Sequence, residues 1–152
     1  ERDAPGAAEA CKLDASAWTL LREGDSVDVF GDGSASVDVI DTPGHTEGGI
    51  SLLVRSNASW AEDGPCGEGL LFTGDTLFVE AAGRTDLPGG DEKQLLRSLS
   101  RLTRLPGRTV VLPGHSYGPR PRSSLRKELA GNAFLRRAEA EFPPASLRPL
   151  PA

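Results

Sequence analysis

Asp41-Thr42-Pro43-Gly44-His45-Thr46 is the stretch on which the reading of this chain turns. An apolar run leads into a Pro-Gly turn, and the turn presents one of only two histidines in 152 residues. The other histidine repeats the arrangement in Leu112-Pro113-Gly114-His115-Ser116-Tyr117. Between them, Leu71-Phe72-Thr73-Gly74-Asp75-Thr76 places a carboxylate behind an apolar run and a glycine. Three metal-capable side chains therefore share one context, the end of a strand entering a loop. Imidazole and carboxylate are ligands that suit Zn²⁺, Fe²⁺ and Mn²⁺. Taken singly, a histidine is usually a surface or satisfied core residue, and Gly-Asp is usually a turn. The intervals separating His45, Asp75 and His115 run to tens of residues, too long for a local metal clip. They fit ligands collected from separate strand ends along one sheet edge.

Outward from these stretches, Ser26–Phe30 and Ser36–Ile40 alternate with period two around Gly31-Asp32-Gly33-Ser34. That predicts a hairpin delivering the chain to His45, since glycine tolerates the positive φ of tight turns. Residues 50–54 and 69–73 read as further strands, joined by a long polar loop over 56–68. Asp91 to Leu102 is the clearest helix. Asp91 can cap its first turn, and Leu95, Leu96, Leu99 and Leu102 form one apolar stripe. Residues 109–112 make a short buried strand. Ser123 to Phe142 reads as helical, broken near Gly131-Asn132, with Leu125, Leu129, Leu135, Ala138 and Phe142 inward. The proline-rich tail from Pro143 reads as extended. Trp18 and Leu21 are core candidates in an ambiguous N-terminal segment. Antiparallel hairpins followed by helices indicate an α+β layered fold. The length suits a single domain over 1–152, with 1–9 and 143–152 expected to be poorly ordered.

A net charge of −5 argues against a nucleic-acid partner. No apolar run approaches the ~20 residues that span a membrane. Cys11 and Cys66 lack metal spacing and read as unpaired thiols of a reducing compartment, which implies a cytoplasmic or organellar location. Asn57-Ala58-Ser59 matches a glycosylation sequon, read here as a chance match. The start at Glu1 and the lack of methionine suggest a piece of a longer protein.

T-P-G-H-T, G-D-T-L-F, G-R-T-D and P-G-H-x-Y-G, in this order over roughly Gly24 to Phe142, resemble the metallo-β-lactamase superfamily. The match is to its branch of glyoxalase II-type thioesterases and persulfide dioxygenases. The resemblance implies a partial αββα sandwich lacking its N-terminal strands. The family's first metal motif, H-x-H-x-D-H, is absent, since the chain has only two histidines: either it precedes residue 1 in a longer protein, or the protein dispenses with it. Carried over residue by residue, His45 binds a first metal, His115 a second, and Asp75 bridges both and completes the catalytic set. The cofactor is then two Zn²⁺, or Fe²⁺, activating water near neutral pH and polarising a thioester carbonyl.

Arg84 and Tyr117 are the substrate-side candidates. Arginine offers two parallel donors to a glutathione carboxylate; an ion pair with Asp86 is the competing reading. Gly44, Gly74 and Gly114 precede the ligands where a side chain would crowd the site, and Thr46 and Thr76 are candidates to aim them. Glyoxalase II has a Lys-x-Tyr pair where this chain has Arg84-Thr85-Asp86. The leading expectation is a hydrolase of a glutathione thioester. A mononuclear-iron persulfide dioxygenase, in which His115 does not ligate, is the alternative, and a non-catalytic domain is the third. Further expectations are convergence of His45, Asp75 and His115 within about 5–6 Å, as a shared pair of ions requires, and an apolar surface that invites association. Residues 1–152 alone are expected to bind metal weakly and to show negligible thioesterase activity.

Overall fold

The computed structural model describes residues 19–56 and 68–150. The expectations for the start of the chain, Cys11, Trp18, the 57–67 loop with its sequon, and Cys66 lie outside the described residues. The first hairpin forms as its alternation predicts: β1 (Ser26–Asp28) pairs antiparallel with β2 (Ala35–Asp41), Val27 opposite Val37. β1 stops two residues early because Asp28 turns its carboxylate onto the backbone. It accepts from the N–H groups of Phe30 (3.2 Å), Gly31 (2.9 Å) and Gly33 (2.9 Å). β3 (Ile50–Ser56) and β4 (Leu70–Gly74) continue the antiparallel sheet.

Next comes a small separate hairpin, β5 (Leu77–Phe78) with β6 (Ala81–Ala82), which the sequence pattern did not announce. Helix α1 (Glu92–Leu102) starts at the expected cap, Asp91, whose carboxylate accepts from Gln94 N–H at 3.0 Å. β7 (Val110–Pro113) then pairs parallel with β4, and β8 (Ser123–Ser124) closes the edge. The main sheet therefore runs β1-β2-β3-β4-β7-β8. α2 (Leu125–Gly131) and α3 (Ala133–Glu141) follow.

Directly paired residues share a sheet face. Ile40, Leu53, Leu71 and Val111 form the face that packs on Leu95, Leu96, Leu99 and Leu102 of α1 and on Leu125, Leu135 and Ala138. Fully burying one leucine side chain contributes about 2 kcal/mol, so this stripe fixes α1 on the sheet. The opposite face carries Val37, Leu52, Val54, Leu70 and Phe72. Phe72 and Ile50 are exposed there, so the expected apolar surface is present.

Three expectations are corrected. The helix placed over 123–142 begins only at Leu125, because Ser123 and Ser124 pair with Val111 and Val110 as a strand. Within α2, Glu128 is buried where Leu129 was expected; Leu129 is only half-buried. The tail expected to be extended from Pro143 is not so throughout. Pro144–Ser146 form a 3₁₀ turn, and Leu150 rests on the core. Prolines lack the N–H for a ladder but keep their carbonyls. Arg104 donates to the carbonyls of Pro144 and Leu147 (3.4 Å each), and Arg101 Nε to that of Arg148 (3.3 Å). The break between α2 and α3 falls where expected, at Asn132, whose side chain accepts from Phe134 N–H at 3.0 Å.

Candidate metal centre

β2, β4 and β7 point the same way: β2 and β4 are each antiparallel to β3, and β7 is parallel to β4. Their C-terminal ends therefore lie on one sheet edge, and each is followed within a few residues by His45, Asp75 or His115. Asp75 Oδ2 stands 3.6 Å from His45 Nε2, and Asp75 Oδ1 stands 3.4 Å from His115 Nε2. The three groups converge as expected, and each imidazole takes a different carboxylate oxygen.

Both separations are long for a hydrogen bond. Two donors each ~2.1 Å from one tetrahedral ion lie about 3.4 Å apart, so the spacing fits an imidazole and a carboxylate oxygen flanking a cation. Among the described residues, no three His, Cys, Asp or Glu side chains close on a single point as one set of ligands. The geometry is that of two half-sites joined by one carboxylate.

His45 is aimed from behind. Its Nδ1 lies 2.7 Å from the carbonyl oxygen of Arg84. A carbonyl only accepts, so Nδ1 carries a proton, and in the neutral ring the lone pair is on Nε2, which faces Asp75. The loop before His45 is fixed carbonyl by carbonyl. Arg101 Nη1 donates to Asp41 (3.1 Å), the Thr76 hydroxyl to Thr42 (3.2 Å), the Ser98 hydroxyl to Pro43 (2.7 Å) and the Asp91 N–H to Gly44 (2.8 Å). Three of the four donors sit on or at the cap of α1. Arg101 is itself anchored by an ion pair with Glu23. Gly44 has φ +139°, and a Cβ there would lie 2.3 Å from the backbone nitrogen of Leu95, so the close approach of loop to helix requires glycine.

Ser98 is buried and has a single loop carbonyl to serve. Ser98→Ala leaves the Pro43 carbonyl without that donor and is expected to cost about 1–2 kcal/mol in urea unfolding. A loss below about 0.5 kcal/mol, the range of featureless surface changes, would show that this bond does not hold the loop.

Thr76 acts on the loop through its hydroxyl, and Thr46 does so through its main-chain carbonyl. Thr76 donates to Thr42, and the Thr46 carbonyl accepts from Gly44 N–H at 3.0 Å. A Cβ on Gly114 would stand 3.1 Å from Asp75 Oδ1. Arg84 divides its roles. Its guanidinium grips Asp86 through Nε–Oδ1 (2.7 Å) and Nη2–Oδ2 (2.6 Å), the competing reading of this residue. Hydrogen bonding from Arg84 holds the Asp86 carboxyl down at about 2, so the pair is closed at neutral pH and opens as pH falls toward that value. Tyr117 is exposed and stacks on His115, ring centroids 5.0 Å apart at 19°.

A cleft of about 270 Å³ is lined by His45, Asp75, His115, Phe78, Ala81, Ala82, Arg84 and Tyr117. Sequence reasoning missed Phe78, the wall formed by β5–β6, and Gly83, which packs against Asp75 and His45. The signal was present in the apolar Leu77-Phe78 directly after Asp75-Thr76, a pair too short to stand out as a strand.

Residues 67–115 match the sequence model of the metallo-beta-lactamase superfamily. An uncharacterized protein of Mycobacterium tuberculosis is 45% identical over 117 residues, covering 76% of this chain and 46% of that one. A hydroxyacylglutathione hydrolase of Cupriavidus taiwanensis is 42% identical over 123 residues, 79% of this chain and 41% of the relative. The crystal structure of ETHE1 from Myxococcus xanthus superimposes with a TM-score of 0.63 at 31% identity, covering 92% of this chain and 63% of that one. The chain spans less than half the length of these two curated relatives. Proteins of the matched superfamily bind divalent metals such as zinc or iron. The fold, the shared edge of the three motifs and these matches agree: the chain has the metallo-β-lactamase fold and carries part of a metallo-beta-lactamase superfamily domain.

Proposed function

We propose that the protein is a metal-dependent hydrolase of glyoxalase II type, acting on a small thioester such as an acylglutathione. The observation that carries this reading is the division of Asp75 between the two imidazoles, one per oxygen, at matching distances. His45, Asp75 and His115 would hold divalent ions, Zn²⁺ or Fe²⁺. Such ions supply Lewis acidity and an activated water at neutral pH.

The chain's own groups do the positioning. The Arg84 carbonyl keeps the His45 Nε2 lone pair turned to Asp75, and the backbone strapped to α1 keeps the ring from swinging away. Phe78, Ala81 and Ala82 give the cleft an apolar wall suited to an acyl chain. At about 270 Å³ the cleft is slightly smaller than the ~300 Å³ at which ligand pockets usually begin. It suits the reacting end of a thioester, with a polar carrier such as glutathione lying outside it. There the guanidinium of Arg84, on the cleft rim, could exchange Asp86 for a substrate carboxylate.

A persulfide dioxygenase is the second reading. It is favoured by the similarity to ETHE1 across 92% of the chain and by Arg84-Thr85-Asp86 in place of a Lys-x-Tyr pair. The placement of His115 weighs against it, since this imidazole lies as close to Asp75 as His45 does. The test measures metal content, acylglutathione hydrolysis and oxygen uptake with glutathione persulfide on the protein carrying this chain. Hydrolysis without oxygen uptake, lost on His115→Ala, is the expected outcome. One iron per chain with oxygen uptake that survives His115→Ala would establish the dioxygenase instead. Neither activity would leave a binding domain.

A further inference from the structure

Glu128 is a carboxylate the proposed chemistry does not use, yet only 1% of it is exposed. Its Oε2 accepts from the N–H of Glu80 (2.8 Å) and from Asn132 Nδ2 (3.0 Å). Its Oε1 has no hydrogen-bond partner among the described residues. Leaving a buried carboxylate oxygen unpaired costs stability, so Glu128 is a poor choice for packing alone. The backbone group it serves is also unusual. Glu80 has φ +61°, and it is the one non-glycine residue with positive φ among the described residues. That conformation is disfavoured for side chains with a Cβ and persists when its surroundings enforce it.

Asn132, one helical turn after Glu128, donates from Nδ2 to the carbonyls of Ala81 (3.0 Å) and Phe78 (3.4 Å). The two side chains thus hold main-chain groups at three positions of one tight turn, the turn joining β5 to β6. Both ends of this segment lead to an imidazole. At one end Phe78 meets Tyr117 edge-on, centroids 5.1 Å apart at 70°, and lies 6.2 Å from the His115 ring, while Tyr117 stacks on His115. At the other end, past Gly83, the Arg84 carbonyl takes the Nδ1 proton of His45.

We propose that Glu128 and Asn132 are positioning residues that set both imidazoles of the cleft at once, by locking the β5–β6 turn in its left-handed conformation. Phe78 carries the setting to His115, and the Arg84 carbonyl carries it to His45. The proposal rests on these imidazoles being the working groups of the cleft. Its test uses neither substrate nor metal, so its failure would leave the thioesterase reading standing.

The test reads the His45 and His115 rings directly, in the protein that carries this chain. With histidine-selective isotope labelling, each ring gives one set of NMR signals, assigned by His45→Ala and His115→Ala. In Glu128→Ala the His115 ring protons are expected to move toward random-coil positions as the stack loosens. The His45 Nδ1 proton is expected to exchange faster. The Glu80 amide, having lost its acceptor, should exchange at least about tenfold faster.

Adding Glu80→Gly to Glu128→Ala should return both rings most of the way, because glycine adopts this φ without strain. Leu105→Ala, a core truncation elsewhere, provides the control for general destabilisation. If Glu128→Ala does not fold, Glu128→Gln carries the test. It keeps one acceptor oxygen but puts an amide donor in place of the other, so the two donors that share Oε2 are no longer matched by a carboxylate, and it should move the same signals in the same direction. The proposal is overturned if the folded variant leaves both imidazoles in place. It is equally overturned if they move no more than in Leu105→Ala, or if Glu80→Gly restores nothing.

Discussion

Gly83→Ala is expected to destabilise the protein by at least about 4 kcal/mol, in the range reserved for outright steric conflict. The added Cβ would lie 1.9 Å from the carbonyl oxygen of Asp75, 3.1 Å from its carbonyl carbon and 3.3 Å from the Cβ of His45. None of these is the far end of a flexible side chain, so no rotamer change relieves the contact. Nor can the backbone retreat freely, because Gly83 N–H is bonded to the Thr76 carbonyl at 3.2 Å. The strain therefore falls on Asp75 and His45 together. Urea unfolding measures the loss, and Gly131→Ala is the matched comparison. Gly131 ends α2 with nothing within 4 Å of where a methyl would sit, and its substitution is expected to be close to neutral. Similar stabilities for the two variants would mean that Gly83 is not wedged between Asp75 and His45 as described.

Asp75→Ala is the second large effect, and it acts on binding rather than folding. Among the described residues Asp75 is the one carboxylate facing both imidazoles, and its side chain is about one-third exposed, so truncation opens little of the core. Removing groups that merely orient a ligand typically lowers metal affinity 10–100-fold. Loss of the shared carboxylate should therefore lower Zn²⁺ affinity by at least about 100-fold. Competition against a chromophoric chelator gives the ratio. Asp86→Ala removes a nearby carboxylate that, among the described residues, is paired with Arg84, and is expected to stay within about threefold. Equal losses for the two variants would point to a diffuse electrostatic effect and end the bridging account.

The parts legible in the sequence were those with a period or a punctuation mark. Alternation placed β1 and β2, the leucine spacing placed α1, and Asp91 marked its cap. Pro-Gly-His and Gly-Asp at strand ends brought His45, Asp75 and His115 to one edge, because strands running the same way must end on the same side. The parts not legible were short or depended on remote partners. β5, β6 and β8 are two residues each, below the length at which alternation means anything. Glu128 follows no apolar pattern, and its burial depends on the backbone of Glu80, far away in the chain. The use of Arg84 was half legible. Its guanidinium is paired with Asp86 as the competing reading had it, while its carbonyl, which every residue type possesses, supports His45 and leaves no trace in composition. The tail was misread for a related reason: prolines announce the loss of donors but not the arginines that use the carbonyls left over.

The four loop carbonyls of Asp41 to Gly44 have a kinetic consequence. Binding loops are ordinarily drawn from the least stable parts of a protein and open many times for each global unfolding event. Here the donors to three of those carbonyls belong to α1, whose leucines are the centre of the core. The loop has no cheap opening mode of its own, since freeing it means lifting the helix. Opening of the loop that carries His45 is therefore expected to follow the slow breathing of this helix and sheet rather than the fast fluctuations of a surface segment.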